Sequence, residues 1–369
     1  SGHKLSRGSV VVIAMDNPDI KDLYLSINSI ATELNLTVVS IESGFGAEEL
    51  PDWGGRHFRL LEKPQIAILS HEGFSSYDVG VSWWSLDHHL GIRHSQLNSS
   101  LIAYGDLRRY NTIILPSGNP DISDYTKSVL MDWVKQGGTL IAHNASTRSI
   151  ISSAVGNVKS LNKTFDDSKK FNIDLMREIY SLEDQIDISN ANENKVNLEI
   201  PYPWESSDKT YTEDQLEMRD KWQSLLMPSG AFVAARADDE HWLTFGSENI
   251  LPVLYSNYPI LMTDGNSEAV MRIGELISNA DISENRTINW SQIPSGYDMN
   301  VRMSGLVWPE AAQRIANSAY LTRERMGNGQ IILFSGEPNF RGSTLGTNRL
   351  WLNAVVYGSG LGTRNKINP

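Results

Sequence analysis

Cysteine is missing from all 369 residues of this chain. That excludes disulfides, thiolate metal sites and a thiol nucleophile, but it does not choose between cytoplasm and periplasm. Runs of Lys or Arg are missing too. With a formal net charge of −12, neither nucleic acid nor an anionic membrane surface is an expected partner. No apolar run approaches the roughly 20 residues that a membrane-spanning helix needs. No G-x-S-x-G is present, so the serine elbow of the α/β-hydrolases is absent, and Asp238 and His241, although close together, form no catalytic pair with it. None of the eight histidines is followed three positions later by glutamate, which removes the His-x-x-Glu half of a carboxypeptidase-type zinc site. The opening SGHKLSRG lacks the apolar segment of a signal peptide and reads as a vector-derived remnant. On that reading, any targeting segment or upstream domain would be missing from what is seen.

What is present is enough apolar residue, 40% of the chain, to bury a sizeable core in one large or two medium domains. Its organising stretch is Asn111–Arg148. Asn111–Leu115 is a short, mostly β-branched run closed by Pro116-Ser117-Gly118, as a buried parallel strand ends. Asn119, Pro120 and the acids Asp121 and Asp124 then predict a helix start. Val129, Leu130, Trp133 and Val134 give that helix one apolar face, Gly137-Gly138 stops it, and Thr139–Ala142 is the next strand. Strand, helix and strand in so short a span predict a right-handed βαβ unit, with ligands beyond the carboxyl ends of its strands.

Taken in order, Val10–Ala14, a helix from Asn17 to about Leu34 and Thr37–Ile41 predict a small α/β lobe over 1–62. The Asn-Pro-Asp-Ile at Asn17 recurs at Asn119 and reads as the same helix-start chemistry. The main domain, 63–360, begins with the strand Gln65–Leu69 and a helix over Val79–Leu90. His88, His89 and His94 near Asp87 lack a face-completing ligand at helical spacing and read as surface residues. A polar, partly helical insertion is expected at about 150–228, with helices at Asp174–Leu182 and Asp214–Leu226. Its Tyr202, Trp204, Tyr211 and Trp222 are candidates for a peptide or sugar groove. Phe232–Ala235 returns to strand, Ile250–Ile260 and Ala269–Ile277 read as strand or helix pieces, Gln330–Phe334 is the last strand, Asn348–Tyr357 the last helix, and 361–369 a tail.

"YNTIILPSGN" and "LMDWVKQGGTLIAHNAS" resemble the core of the class I glutamine amidotransferase-like fold. The resemblance implies a flavodoxin-like parallel sheet with helices on both faces, and it places Asn144, preceded by His143, at the elbow where working enzymes of that superfamily carry cysteine. After the last strand, where the superfamily has a His and Glu of its triad, Glu337 is present but Gly336 stands in the histidine position. "EKPQIAILSHEG", "WWSLDHHLGI", "DDEHWLTFG", "RMSGLV" and "GNGQIILFSGEPNFRGSTLGTNRLWLNAVVYG" further resemble the C-terminal region of large secreted bacterial zinc carboxypeptidase-like proteins, where such a domain follows a peptidase domain. This resemblance implies a secreted or periplasmic location, zinc and activity in an upstream carboxypeptidase domain acting in cis, and no cofactor in this chain.

The expected role is a non-catalytic accessory region. A stand-alone module for a small ligand or a peptide carboxylate is the alternative, using Ser117, Gly118, Asn119, His143, Asn144, Ser146, Arg148, Glu337 and Arg341 at the carboxyl ends of the strands. In it, backbone NH groups and a guanidinium would hold the carboxylate, unless Glu337 and Arg341 pair with each other. The remaining reading is an unfamiliar hydrolase with His143 or His71 as base beside Glu337 or Glu72.

Overall fold

The computed structural model describes residues 5, 8–45, 52–53, 58–151, 158–160, 212, 214, 217, 220, 223–264, 266–288 and 291–364. Two compact units divide the chain, Ser1–Leu60 and Leu61–Pro369. In the first, the described residues include no strand: regular structure is a 3-10 turn, Ala14–Asp16, and one helix, α1 (Leu23–Glu33). Val10–Ala14 and Thr37–Ile41, expected as strands, pair with no strand among the described residues, and a strand without a partner leaves its backbone groups to water. Asn17 is not the helix start either, because its carbonyl closes a turn with the Ile20 NH.

The second unit is built on a sheet of twelve strands. In chain order these are β1 (Ile66–Ser70), β2 (His94–Asn98), β3 (Thr112–Leu115), β4 (Thr139–His143), β5 (Lys159–Ser160), β6 (Ala231–Ala237), β7 (Ile250–Tyr255), β8 (Leu261–Met262), β9 (Ser267–Ile273), β10 (Arg302–Ser304), β11 (Ala319–Met326) and β12 (Gly329–Phe334). The central strands run parallel in the order β2-β1-β3-β4-β12. This is the flavodoxin-like, amidotransferase-like α/β arrangement, and its switch point falls between β1 and β3.

Every residue of β1, β3, β4 and β12 is buried, because both faces of the parallel half are covered. On one face Ile66, Ile68, Ile141 and Phe334 pack with Leu350, Trp351 and Ala354 of α6 (Leu345–Leu361), which follows α5 (Pro309–Ile315) in the chain. On the other, Ala67, Leu69, Leu140 and Leu333 pack with Leu130, Trp133 and Val134 of α3 (Asp124–Lys135). The alternation of neighbouring residues between the two cores follows from the period of two along a strand.

Beyond β12 the sheet turns antiparallel through β11, β9 and β6, with β7 and β10 on β6. In this half the strand expected at Phe232–Ala235 is β6, while Ile250–Ile260 and Ala269–Ile277 read only as strand or helix pieces. Register shifts along β9/β11 and β6/β10 break the hydrophobic alternation where it would have been read. Two small ribbons, Glu275–Ser278 with Tyr297–Asn300 and Arg286–Ile288 with Ser291–Ile293, complete the described strands. The groove aromatics Tyr202, Trp204, Tyr211 and Trp222 and the helix expected at Asp174–Leu182 lie outside the described residues.

Two helix starts differ from expectation. The helix after β3 begins at Asp124, capped by the Ser123 hydroxyl, which accepts from the Thr126 NH at 3.2 Å. Asn119 does not cap it: it lies upstream of the helix, and its NH donates to Gly73 O at 2.8 Å. The helix after β1 begins early, as α2 (Ser76–Trp84), and continues as a π-helical turn, Ser85–His89. The extra residue of that turn brings the fully buried Ser85 hydroxyl to the Asn339 amide, which donates to it, in the loop after β12.

Candidate functional site: a closed acid–imidazole network at the strand ends

The loops after β1 and β3 meet at the switch point and bond to each other. Ser75 NH donates to Ser117 O and Asn119 NH to Gly73 O, each at 2.8 Å, around an antiparallel bridge between Phe74 and Gly118. The approach is so close that a Cβ on Gly118 would stand 2.3 Å from Gly73 O. The crevice in which such sheets bind ligands is therefore filled by the chain's own backbone. Ser117 NH donates to the Asp78 carboxylate, and the buried Ser146 hydroxyl donates to Pro116 O. The NH groups expected to cradle a carboxylate at Ser117 and Asn119 are thus already used, which corrects the reading of this loop as an open anion site.

Asp78, from the first turn of α2, is the residue around which the interior is arranged, and it was not singled out in the sequence. Its Oδ2 lies 3.5 Å from Nδ1 of His143 at the end of β4. On the far side of that imidazole, Trp351 Nε1–H of α6 donates to His143 Nε2 at 2.7 Å. Since an indole can only donate, Nε2 must be the unprotonated nitrogen, and the neutral ring carries its proton on Nδ1, toward Asp78. Nδ1 makes no hydrogen bond, and His143 is 1% exposed. Phe334 and Trp351 stand edge-on to the ring at 5.8 and 6.0 Å between centroids. The imidazole is therefore walled off from any substrate.

Asn144 follows at once with φ 45°, in the left-handed region. Its NH donates to Phe334 O of the neighbouring strand, and its carbonyl accepts from both NH and Oγ1 of Thr147 in α4 (Ala145–Ile151). This is a strand-to-helix elbow with an amide where a nucleophile would sit. The Asn144 amide donates to Glu337 Oε1 at 3.5 Å, so His143, Asn144 and Glu337 do come together. Glu337 is half-buried, and its carboxyl is pushed above the ordinary glutamate range by burial and then by the Asp78 charge, against smaller opposing effects of Asn144, His143 and Arg341. Gly336 packs beside Tyr258 and Tyr320, whose hydroxyls are pushed up by burial and by the same two carboxylates.

The other sequence candidates lie apart. Arg148 is exposed on α4. Arg341 is exposed, stacks over Phe340 at 5.0 Å and makes no ion pair within 4.0 Å among the described residues, so it does not pair with Glu337. Glu72 is exposed, and His71, at φ 75°, holds its Nδ1 2.7 Å from Ser70 Oγ in the loop after β1. His88 and His89 flank the Trp84 ring, and among the described residues no three His, Asp or Glu side chains are placed to hold a metal ion. His241 bonds to Glu268 at 3.3 Å.

No family model and no curated protein matches the chain. Solved structures do resemble it. They include ThuA-like proteins from Bacteroides uniformis (11% identity, TM-score 0.37, covering 81% of this chain and 93% of that one) and Parabacteroides merdae (10%, 0.40, 83% and 93%). A cytoplasmic protein from Salmonella typhimurium is similar at 10% identity and TM-score 0.38, over 82% of this chain and 100% of its own. Likeness at this level says nothing of activity. Asp78 and Ser85 escaped the sequence reading, and Trp351 was read there only as an inward-packing residue of the last helix, because each looks ordinary in its helix. Only the sheet order, which turns α2 and α6 toward the end of β4, gives them a role.

Proposed function

We propose that this chain is a non-catalytic accessory region of amidotransferase-like fold, belonging to a secreted zinc carboxypeptidase-like protein whose peptidase domain it supports or supplies with substrate. The observation that carries the non-catalytic part is the elbow. Its tip is Asn144, whose amide has no lone pair comparable to a thiolate or alkoxide and is spent on Glu337. The adjacent histidine is fixed between Trp351 and Asp78 and cannot reach a substrate proton. Strained backbone of this kind, kept without the nucleophile it usually presents, fits a scaffold that has lost its reaction and kept its architecture. The link to a zinc carboxypeptidase rests on the sequence resemblance, and zinc belongs to that domain.

Incubating the purified chain with L-glutamine and with p-nitrophenyl acetate tests the catalytic part. Release of ammonia or nitrophenol at the buffer rate is expected. A rate above buffer that disappears in Asn144→Ala or His143→Gln would restore the hydrolase reading.

A further inference from the structure

Two local costs converge on one cleft away from the closed network. The cleft, of about 350 Å³, opens at the carboxyl end of β1 between α2 and the edge strand β2. His71 stands on its rim in the left-handed region at φ 75°, which a side chain adopts only under steric strain. Gly80 stands on its wall in the middle of α2, where glycine is less favourable than alanine. No packing explains that glycine: a Cβ built there meets nothing within 4 Å. Its φ is not positive, so the backbone does not require it either. What Gly80 does is leave the cleft open.

The lining defines the occupant. Trp83 and Phe74 give apolar surface, and His71, Ser76 and Gln96 give hydrogen-bonding groups. Nδ1 of His71 is held by the buried Ser70 hydroxyl, so the ring is fixed, and its Nε2 has no partner among the described residues. Among the described residues, no Asp, Glu, Lys or Arg lines the cleft. A phosphate or carboxylate would find no cation there, and a cation would find no carboxylate. An extended apolar ligand would leave the amide, hydroxyl and imidazole groups unpaired. An uncharged ring with hydroxyls on its edge and C–H groups on its face satisfies both kinds of wall, the face on Trp83 and the edge on Gln96, Ser76 and His71.

We infer that this cleft binds a neutral sugar, free or as the end of a glycan. The site is separate from the Asn144 network and does not depend on the accessory role.

Saturation-transfer-difference NMR on the full chain tests it, with D-glucose, D-galactose, D-mannose, D-xylose and N-acetyl-D-glucosamine as probes. Transfer to at least one of them is expected, and it should weaken at least tenfold in Gly80→Leu, which fills the cleft, and in Trp83→Ala. Gly80→Leu should melt at or above the temperature of the unmodified chain, since it removes a helix-interior glycine into open space, so loss of transfer will not reflect unfolding. Absence of transfer from all five sugars overturns the proposal, as does transfer that Gly80→Leu leaves unchanged. Stronger transfer to glucose 6-phosphate, glucuronate or an uncharged dipeptide amide would overturn the assignment of ligand class.

Discussion

At the scale of single residues, Asn144 holds the turn between β4 and α4 in the left-handed region. Asparagine tolerates the left-handed region better than most residues, and alanine there would bear about 1 kcal/mol of strain. Asn144→Ala should therefore lower stability by about 1 kcal/mol and Asn144→Gly by only a few tenths, in urea titrations at neutral pH. Trp351→Phe keeps the ring packing but removes the donor to His143, leaving a buried nitrogen unsatisfied; a loss of about 2 kcal/mol in the same assay is expected. Glu337 gives a pH signature. Its folded-state carboxyl titrates above the ordinary value of 4.5, so its favourable contribution is complete below that pH and is lost as pH rises through the folded value. Glu337→Gln should then melt higher than the unmodified chain at neutral pH, with the difference vanishing below about pH 4.5; a difference that persists in acid would contradict the raised carboxyl. His143, Asn144 and Glu337 were legible beforehand because the motifs around β4 and β12 mark strand ends. Asp78 was not, since nothing in Ser-Ser-Tyr-Asp distinguishes a buried carboxylate from a first-turn surface acid.

Among the elements, the parallel half was readable and the antiparallel half was not, for a physical reason. β1, β3, β4 and β12 are apolar on both faces and appear in sequence as uninterrupted runs. The antiparallel strands carry buried charges that interrupt any pattern: Arg236, Arg272 and Arg323 are each at most 7% exposed. Arg323 of β11 joins Glu268 of β9 at 2.7 Å, and Glu268 also accepts from His241. Leu243 NH donates to His241 Nδ1, so the imidazole turns its Nε2–H to the carboxylate without needing a charge. Burial pushes the Glu268 carboxyl up, but His241 and Arg323 outweigh it and hold it at about 2. A depressed carboxyl contributes stability above its unfolded value of 4.5 and loses it as pH falls toward 2. Glu268→Ala strands a buried guanidinium and should cost about 2 kcal/mol at pH 7, discounted because the carboxylate is half exposed. Thermal melts of the two proteins should approach each other below pH 4.5, and parallel curves down to pH 2 would show that the network does not titrate. The helix starts were misplaced at Asn17 and Asn119 because a good capping residue is only a candidate. Asn119 is instead held against a distant loop by Gly73 O, and a contact between residues 46 positions apart leaves no local mark.

For the whole molecule, the α/β fold followed from one βαβ unit. No helix among the described residues is long and apolar enough to cross a membrane. The switch-point crevice, where a ligand was expected, is closed by the Phe74–Gly118 bridge, and this long-range pairing was invisible in two separate Gly-containing loops. The central claim is that this domain serves a larger secreted protein and does not act alone. Its most direct test is the mass of the native product in source cells, detected with an antibody raised against this chain. The account predicts a species much heavier than 41.2 kDa in the secreted or periplasmic fraction. A species of 41.2 kDa in the cytoplasm would contradict it.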